Sequence, residues 1–153
     1  MNRAFALALT LCLLSCIAQA AGGQIFDDHA DAHRLIASAI AEASKSHKNI
    51  VLDFGANWCP DCHALHDQMQ QGELAPIIAK SFLVVPIDVG IYNRNLDIVR
   101  EYRMSLRKGI PALAILNSHG KLLYAMTQGQ FSDAGSMSAK TFVEFFKKWE
   151  PKR

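Results

Sequence analysis

Cys59 and Cys62 are separated by two residues, in the run Trp58-Cys59-Pro60-Asp61-Cys62-His63. A thiolate is a nucleophile, and a second thiol one helical turn away can intercept the mixed disulfide it forms. Pro60 suits the first turn of a helix, where a missing N–H costs nothing, so the spacing predicts a helix that starts at the cysteines. Unpaired N–H groups and the helix dipole favour negative charge at that end and lower the pKa of Cys59, the accessible attacking thiol. Cys62 is then the buried resolving thiol. The same residues leave other chemistry open. Cys59, Cys62, His63 and His66 are zinc or copper ligand types, although structural zinc sites generally draw two ligands from each of two segments. Cys59-Pro60-Asp61-Cys62-His63 also fits the c-type haem attachment pattern, with Met104 as a conceivable second axial ligand. A haem would need a pocket walled by apolar helices, whereas these cysteines follow a buried strand. His29 and His33, four residues apart, fit a shared metal or a solvated helix start.

The leader decides where this chemistry takes place. Met1-Asn2-Arg3 carries one positive charge, Ala4 to Leu14 is apolar apart from Thr10, and Ala18-Gln19-Ala20 has the small-x-small spacing of a signal-peptidase site. Residues 1–20 therefore read as a secretory signal peptide and residues 21–153 as one exported, periplasmic domain. A transmembrane anchor would need about 20 apolar residues, more than this run supplies. Leu13-Leu14-Ser15-Cys16 resembles a lipobox, and cleavage before Cys16 would instead tether the domain to a membrane by a lipid anchor. The small-x-small site favours the free form. Cleavage after Ala20 removes Cys12 and Cys16, leaving Cys59 and Cys62 as a pair whose short ring adds little loop-closure stability. The pair is there for chemistry.

Half of the 153 residues are apolar and 20% are charged, with a formal charge of +2, which fits one soluble domain and gives no basic footprint for nucleic acid. The elements that position the cysteines follow from periodicity. Asp28 to about Lys45 is a helix with Leu35, Ile36, Ala39, Ile40 and Ala43 on its apolar stripe and Asp27 or Asp28 as its cap. Asn49 to Phe54 is a strand covered on both faces, and its one charge is Asp53. The cysteine helix follows and is interrupted at Gly72, with a further short helix over Leu74 to Lys80. Phe82 to Ile87 is a strand whose Pro86 indicates an edge, bulge or end. Asp88 to Asn95 is a polar loop, and Leu96 to Met104 a helix. Ala112 to Leu116 and Lys121 to Met126 flank the hairpin turn Asn117-Ser118-His119-Gly120. Ser138 caps a last helix whose Phe142, Phe145, Phe146 and Trp149 form a core stripe. The order α-β-α-β-α-β-β-α is an α/β domain, a central mixed sheet with helices on both faces.

Asp53-Phe54-Gly55-Ala56-Asn57-Trp58-Cys59-Pro60-Asp61-Cys62, with Gly109-Ile110-Pro111 far downstream, resembles the thioredoxin superfamily over about Asn49 to Trp149. The break at Gly72 and the following segment to Asp88 are more similar to exported bacterial thioredoxin-like thiol:disulfide oxidoreductases than to cytosolic thioredoxin. The resemblance implies that Cys59 and Cys62 form the redox-active disulfide. It also implies that a cis Ile110-Pro111 bond faces that disulfide, with Trp58, Ile110 and Pro111 meeting the substrate. The family's buried acid, six residues before the first cysteine, falls on Asp53 and would relay protons to Cys62.

Elementary chemistry supports those roles. A carboxylate inside an apolar strand is costly when ionised, so the pKa of Asp53 should rise toward neutrality, unless a lysine or a backbone donor pairs with it. Pro111 has no N–H to donate, which leaves the backbone at Ile110 open to an incoming peptide. The sequence departs from the family in two places: Pro60-Asp61 replaces the usual Gly-Pro, and Val84 stands where a lysine often accompanies the buried acid. Asp61 should oppose the Cys59 thiolate while His63 and His66 favour it, which predicts a moderately reducing or isomerase-like potential. Partners are expected to be disulfide-containing proteins and a membrane or soluble redox protein. No cofactor is needed, because the disulfide carries the two electrons. A redox-inactive module that binds peptides at Ile110-Pro111 is the remaining alternative, against which both cysteines and Asp53 are retained.

Overall fold

The computed structural model describes residues 24–152, so the expected signal peptide, Cys12 and the lipobox Cys16 lie outside the described residues. Helix α1 (Ala32–Ser46) is capped by Asp31, whose side chain accepts the Arg34 N–H at 3.1 Å. The cap is therefore neither Asp27 nor Asp28. Asp27 accepts the His29 N–H in a local turn instead, and the Asp28 carboxylate faces Arg94. The helix buries Ala32, Ile36 and Ala43, and this rotation leaves Leu35 39% exposed.

Strand β1 (Asn49–Gly55) is buried along its whole length. The cysteine helix α2 (Pro60–Met69) and helix α3 (Leu74–Ser81) are separate elements, because Gly72 takes a φ of 56° between them. Strand β2 (Phe82–Asp88) leads to α4 (Leu96–Glu101), followed by β3 (Ala112–Leu116), β4 (Leu122–Ala125), a 3-10 turn at Ala134–Ser136 and α5 (Ala139–Lys148). Helix α4 ends earlier than its apolar pattern predicts. Arg103 turns left-handed at φ 55°, and the Met104 N–H closes on the Val99 carbonyl at 2.8 Å in a Schellman arrangement.

The sheet order is β2-β1-β3-β4, with β1 parallel to β2 and antiparallel to β3, and β4 antiparallel to β3. This is a thioredoxin-like mixed sheet flanked by helices, with β1 at its centre and β2 at an edge, where the missing donor of Pro86 is tolerated. Helix α1 packs on β1 and β2, while α3 packs against β2, α2 and α5. Ser138 caps α5 as predicted, accepting the Thr141 N–H. The aromatic stripe of α5 closes the core: Phe131 meets Phe142 and Phe145 edge-on at 5.1 and 5.0 Å, and Phe82 meets Phe146 at 5.5 Å. Ahead of α1, Phe26 is fully buried and its ring occupies the space a side chain at Gly55 would need.

Burial of β1 carries Asp53 inside with it. Asp53 is 1% exposed, and among the described residues neither carboxyl oxygen has a hydrogen-bond partner. The register sets Pro86 opposite Asp53 and Val84 opposite Val51, so the facing stretch of β2 offers neither lysine nor side-chain donor. Desolvation pushes the Asp53 pKa from 3.8 to about 7.

Two consequences are open to measurement. The unfolded carboxyl ionises near 3.8 and the folded one near 7, so between those values the unfolded chain binds fewer protons and stability falls as pH rises. The integrated effect is on the order of 4 kcal/mol, complete above about pH 7 and absent below about pH 4. In denaturant titrations, Asp53→Asn is expected to exceed wild type by about 2–4 kcal/mol at pH 8 and to lose that margin by pH 4. A difference that does not vary with pH would mean that Asp53 finds a counter-charge. Gly55→Ala is expected to cost about 1–3 kcal/mol, less when Phe26→Ala has already removed the ring, and a double-mutant cycle reads the coupling.

Candidate active site

The chain leaves β1 at Gly55 and turns into α2 within four residues, the Cys59 N–H bonding to the Ala56 carbonyl at 3.0 Å. Cys59 has extended backbone, φ −91° and ψ 109°, and is the N-cap of α2, with Pro60 in the first turn. Its Sγ accepts the Cys62 N–H at 3.1 Å. The capping atom is thus the Cys59 sulfur, which sits where backbone dipoles favour negative charge. The two cysteines form a disulfide with their Cα atoms 5.3 Å apart. Cys62 is fully buried. Cys59, expected to be accessible, is only 3% exposed in this oxidised form, its Sγ lying 3.6 Å from the Ile110 carbonyl oxygen. The Ile110–Pro111 peptide is cis, and both residues are buried beside the disulfide.

Trp58 is 54% exposed, donates from Nε1 to the Gly90 carbonyl at 2.8 Å and meets Tyr92 edge-on at 6.0 Å. The two imidazoles that bear on the metal alternative have other partners. His63 donates from Nε2 to the Asn57 carbonyl at 2.8 Å, and His66 hydrogen-bonds Gln70. His33 binds Asp97 at 2.7 Å and His29 faces Asp28 at 3.4 Å, so these two histidines take separate carboxylates. Among the described residues, no group of three or more His, Cys, Asp or Glu side chains gathers at a metal-binding spacing. Asp61 Oδ1 accepts the Gly135 N–H at 2.8 Å, which tethers α2 to the 3-10 turn.

Three features of the site surroundings are absent from the sequence reading. Asn57 clips the chain ahead of α1, its Oδ1 accepting from the Phe26 N–H at 3.1 Å and its Nδ2 donating to the Phe26 carbonyl at 2.6 Å. The Gly135 tether to Asp61 is the second. The third is the loop after β2, read as polar, which exposes Ile91 at 75% and Tyr92 at 42% beside Trp58. The Ile-Tyr pair between Gly90 and Asn93 was the available signal for it.

Comparison with known proteins agrees with this geometry. A family described as thioredoxin-like matches residues 31–118. A disulphide isomerase from Xylella fastidiosa Temecula1 is 39% identical, with a TM-score of 0.77 over 82% of this chain and 96% of its own. The DsbD C-terminal domain of Neisseria meningitidis in its reduced form has a TM-score of 0.57 at 22% identity, covering 79% of this chain and 98% of that one. A thioredoxin from Thermus thermophilus has a TM-score of 0.53 at 16% identity, over 73% and 81%. These last two likenesses concern the fold alone. No curated protein matches the chain. A centre that closes a disulfide across the start of α2, within a chain so matched, makes this protein an oxidoreductase of the thioredoxin-like family that works by thiol–disulfide exchange.

Proposed function

We propose that the protein is an exported thiol:disulfide oxidoreductase acting on protein disulfides in the periplasm, with reductase or isomerase-like poise. The observation that carries the reading is the Cys59 sulfur, which caps α2 and lies against the Ile110 carbonyl. In the reductive direction the Cys59 thiolate attacks a substrate disulfide, forming one mixed S–S bond and expelling a substrate thiolate that takes up a proton. Cys62 then gives its proton to the Asp53 carboxylate and attacks Cys59 Sγ. The second substrate thiol leaves, and the Cys59–Cys62 disulfide remains, two electrons having passed to the substrate. A redox partner, membrane-bound or soluble, returns the electrons. Trp58, Ile110 and Pro111 receive the substrate chain, which pairs along the backbone at Ile110.

Two assignments support this direction of work. An Asp53 carboxyl with a pKa of about 7 can exchange its proton with a thiol at neutral pH. The Xylella relative is named a disulphide isomerase, and at 39% identity it favours the isomerase-like end of the range. Residues 1–20 are the signal peptide and residues 21–153 the mature domain in this reading, the Ala18-Gln19-Ala20 site outweighing a lipid anchor at Cys16.

Cys62→Ser is expected to accumulate a mixed disulfide between Cys59 and its natural substrates, recoverable from the exported fraction after acid quenching, whereas Cys59→Ser yields no adduct and no turnover. Absence of adducts from the first variant would remove the mechanism. Asp53→Asn is expected to slow resolution of the mixed disulfide by about tenfold or more at pH 7 and to abolish the inflection of its pH profile near 7, while initial attack by Cys59 is spared. Equilibration with glutathione is expected to give a potential between about −270 and −180 mV, and a value above that window would exclude the poise proposed.

A further inference from the structure

An apolar groove of about 530 Å3 runs beside the active site, lined by Tyr92, Leu96, Val99, Leu106, Arg107 and Gly109. Two of its lining residues adjoin residues of the active site. Gly109 precedes Ile110, whose carbonyl touches Cys59 Sγ, and Tyr92 packs edge-on against Trp58. The wall at Tyr92 is built at a conformational cost. Tyr92 has a φ of 65°, a left-handed backbone that a bulky residue rarely adopts. The loop holds it there: Asn93 N–H and Arg94 N–H both bond to the Val89 carbonyl, the Asn93 side chain accepts the Ile91 N–H, and the Asn95 side chain bonds to the Asp88 carbonyl. Glycine would occupy this position without strain, so an aromatic ring retained there, 42% exposed, is consistent with a surface task.

Arg107 is the charged residue in the lining of the groove, and further cations lie on the same segment. Arg100, Arg103, Arg107 and Lys108 are all exposed on the segment from α4 to Gly109, and none of the four forms an ion pair among the described residues. The acids of the same segment are Asp97 and Glu101, and Asp97 is already held by His33. Arg94, at the near end, is neutralised by Asp28 and Asp88. Arg103, like Tyr92, occupies a left-handed position, at the helix end where glycine is the usual residue. An apolar cleft lined by an unpaired arginine, with a lysine next to it in the chain, selects an apolar side chain next to a carboxylate.

We propose that this groove is the selectivity site for the substrate chain, taking an extended segment in which a large apolar residue close to the reactive cysteine is followed by Asp or Glu. This rests on the thiol–disulfide exchange reading above and names its substrate class. The apolar side chain enters between Tyr92 and Leu106, and the carboxylate faces Arg107 and Lys108.

The test uses the purified protein in its dithiol form and synthetic disulfide-linked peptide dimers. Each peptide carries Leu two residues from its cysteine, followed by Glu, Gln or Lys, and rates are normalised to hydroxyethyl disulfide. The Glu peptide is expected to be reduced about tenfold faster than the Lys peptide at low salt, with the preference shrinking as salt screens it. The double variant Arg107→Glu with Lys108→Glu is expected to erase or invert that order. Tyr92→Gly, which relieves backbone strain and so tests the ring without threatening the fold, is expected to lose the preference for Leu over Ala at the apolar position. Equal rates for the Glu and Lys peptides, or a preference the double variant leaves intact, would overturn the assignment while the exchange reading stands. Failure to reduce hydroxyethyl disulfide as well as every peptide would overturn both.

Discussion

In the proposed exchange the Cys59 sulfur acts while nearly sealed from water, so it relies on fixed dipoles rather than solvent, and those dipoles belong to the first turn of α2. The Cys62 N–H points at Sγ from 3.1 Å. Its value depends on the helix end being held still, and the neighbouring contacts converge on that task. Pro60 presets the backbone of the first turn, His63 ties α2 back to the Asn57 carbonyl, and Asp61 reaches across to the Gly135 N–H. Asn57, which receives His63 on its backbone, grips Phe26 with its side chain, so the buried ring below Gly55 is linked through two residues to the reactive cysteine. A preorganised helix end costs no reorganisation when the thiolate forms.

The same placement explains why the fold tolerates a buried acid. Asp53 lies on the central strand, without a donor, and weakens the folded state as pH rises toward 7. A protein selected for stability alone would carry an apolar residue there. Aromatic packing helps to offset the cost, with Phe82, Phe131, Phe142, Phe145 and Phe146 interlocked edge to face. The two demands fall on different residues: the aromatic cluster supplies cohesion, and Asp53 stays titratable near neutrality.

How much of this was legible in the sequence depended on the range of the interaction. Pro60 after Cys59, the apolar run of β1, the Gly72 break and the Ser138 cap are local signals, and each element formed where its pattern lay. The α1 cap was missed because three nearby aspartates compete for it, and Asp27 is satisfied by its own turn. Helix α4 stops short of its pattern because Arg103 accepts a left-handed backbone that its side chain does not announce. That Asp53 has no partner was legible only as one of two possibilities, since the answer depends on β2 setting Pro86 opposite it. The Asn57 clip and the Gly135 tether join residues 31 and 74 positions apart, and no local pattern specifies either.

The two flanks of the active site divide its labour. On one, the Phe26 segment is clamped by Asn57 and by Arg94, which reaches both the Asp28 carbonyl and the Asp88 carboxylate, and little backbone there is left to pair with a substrate. On the other, Gly109, next to Ile110 in the chain, lines the groove along α4, and Arg100, Arg103, Arg107 and Lys108 form no ion pair among the described residues. A peptide approaching Cys59 thus meets satisfied hydrogen bonds on one side and open chemistry on the other. In the proposed exchange, orientation at the sulfur then follows from where the polypeptide can still form bonds, and not from the cysteine pair alone, which is the same from either direction.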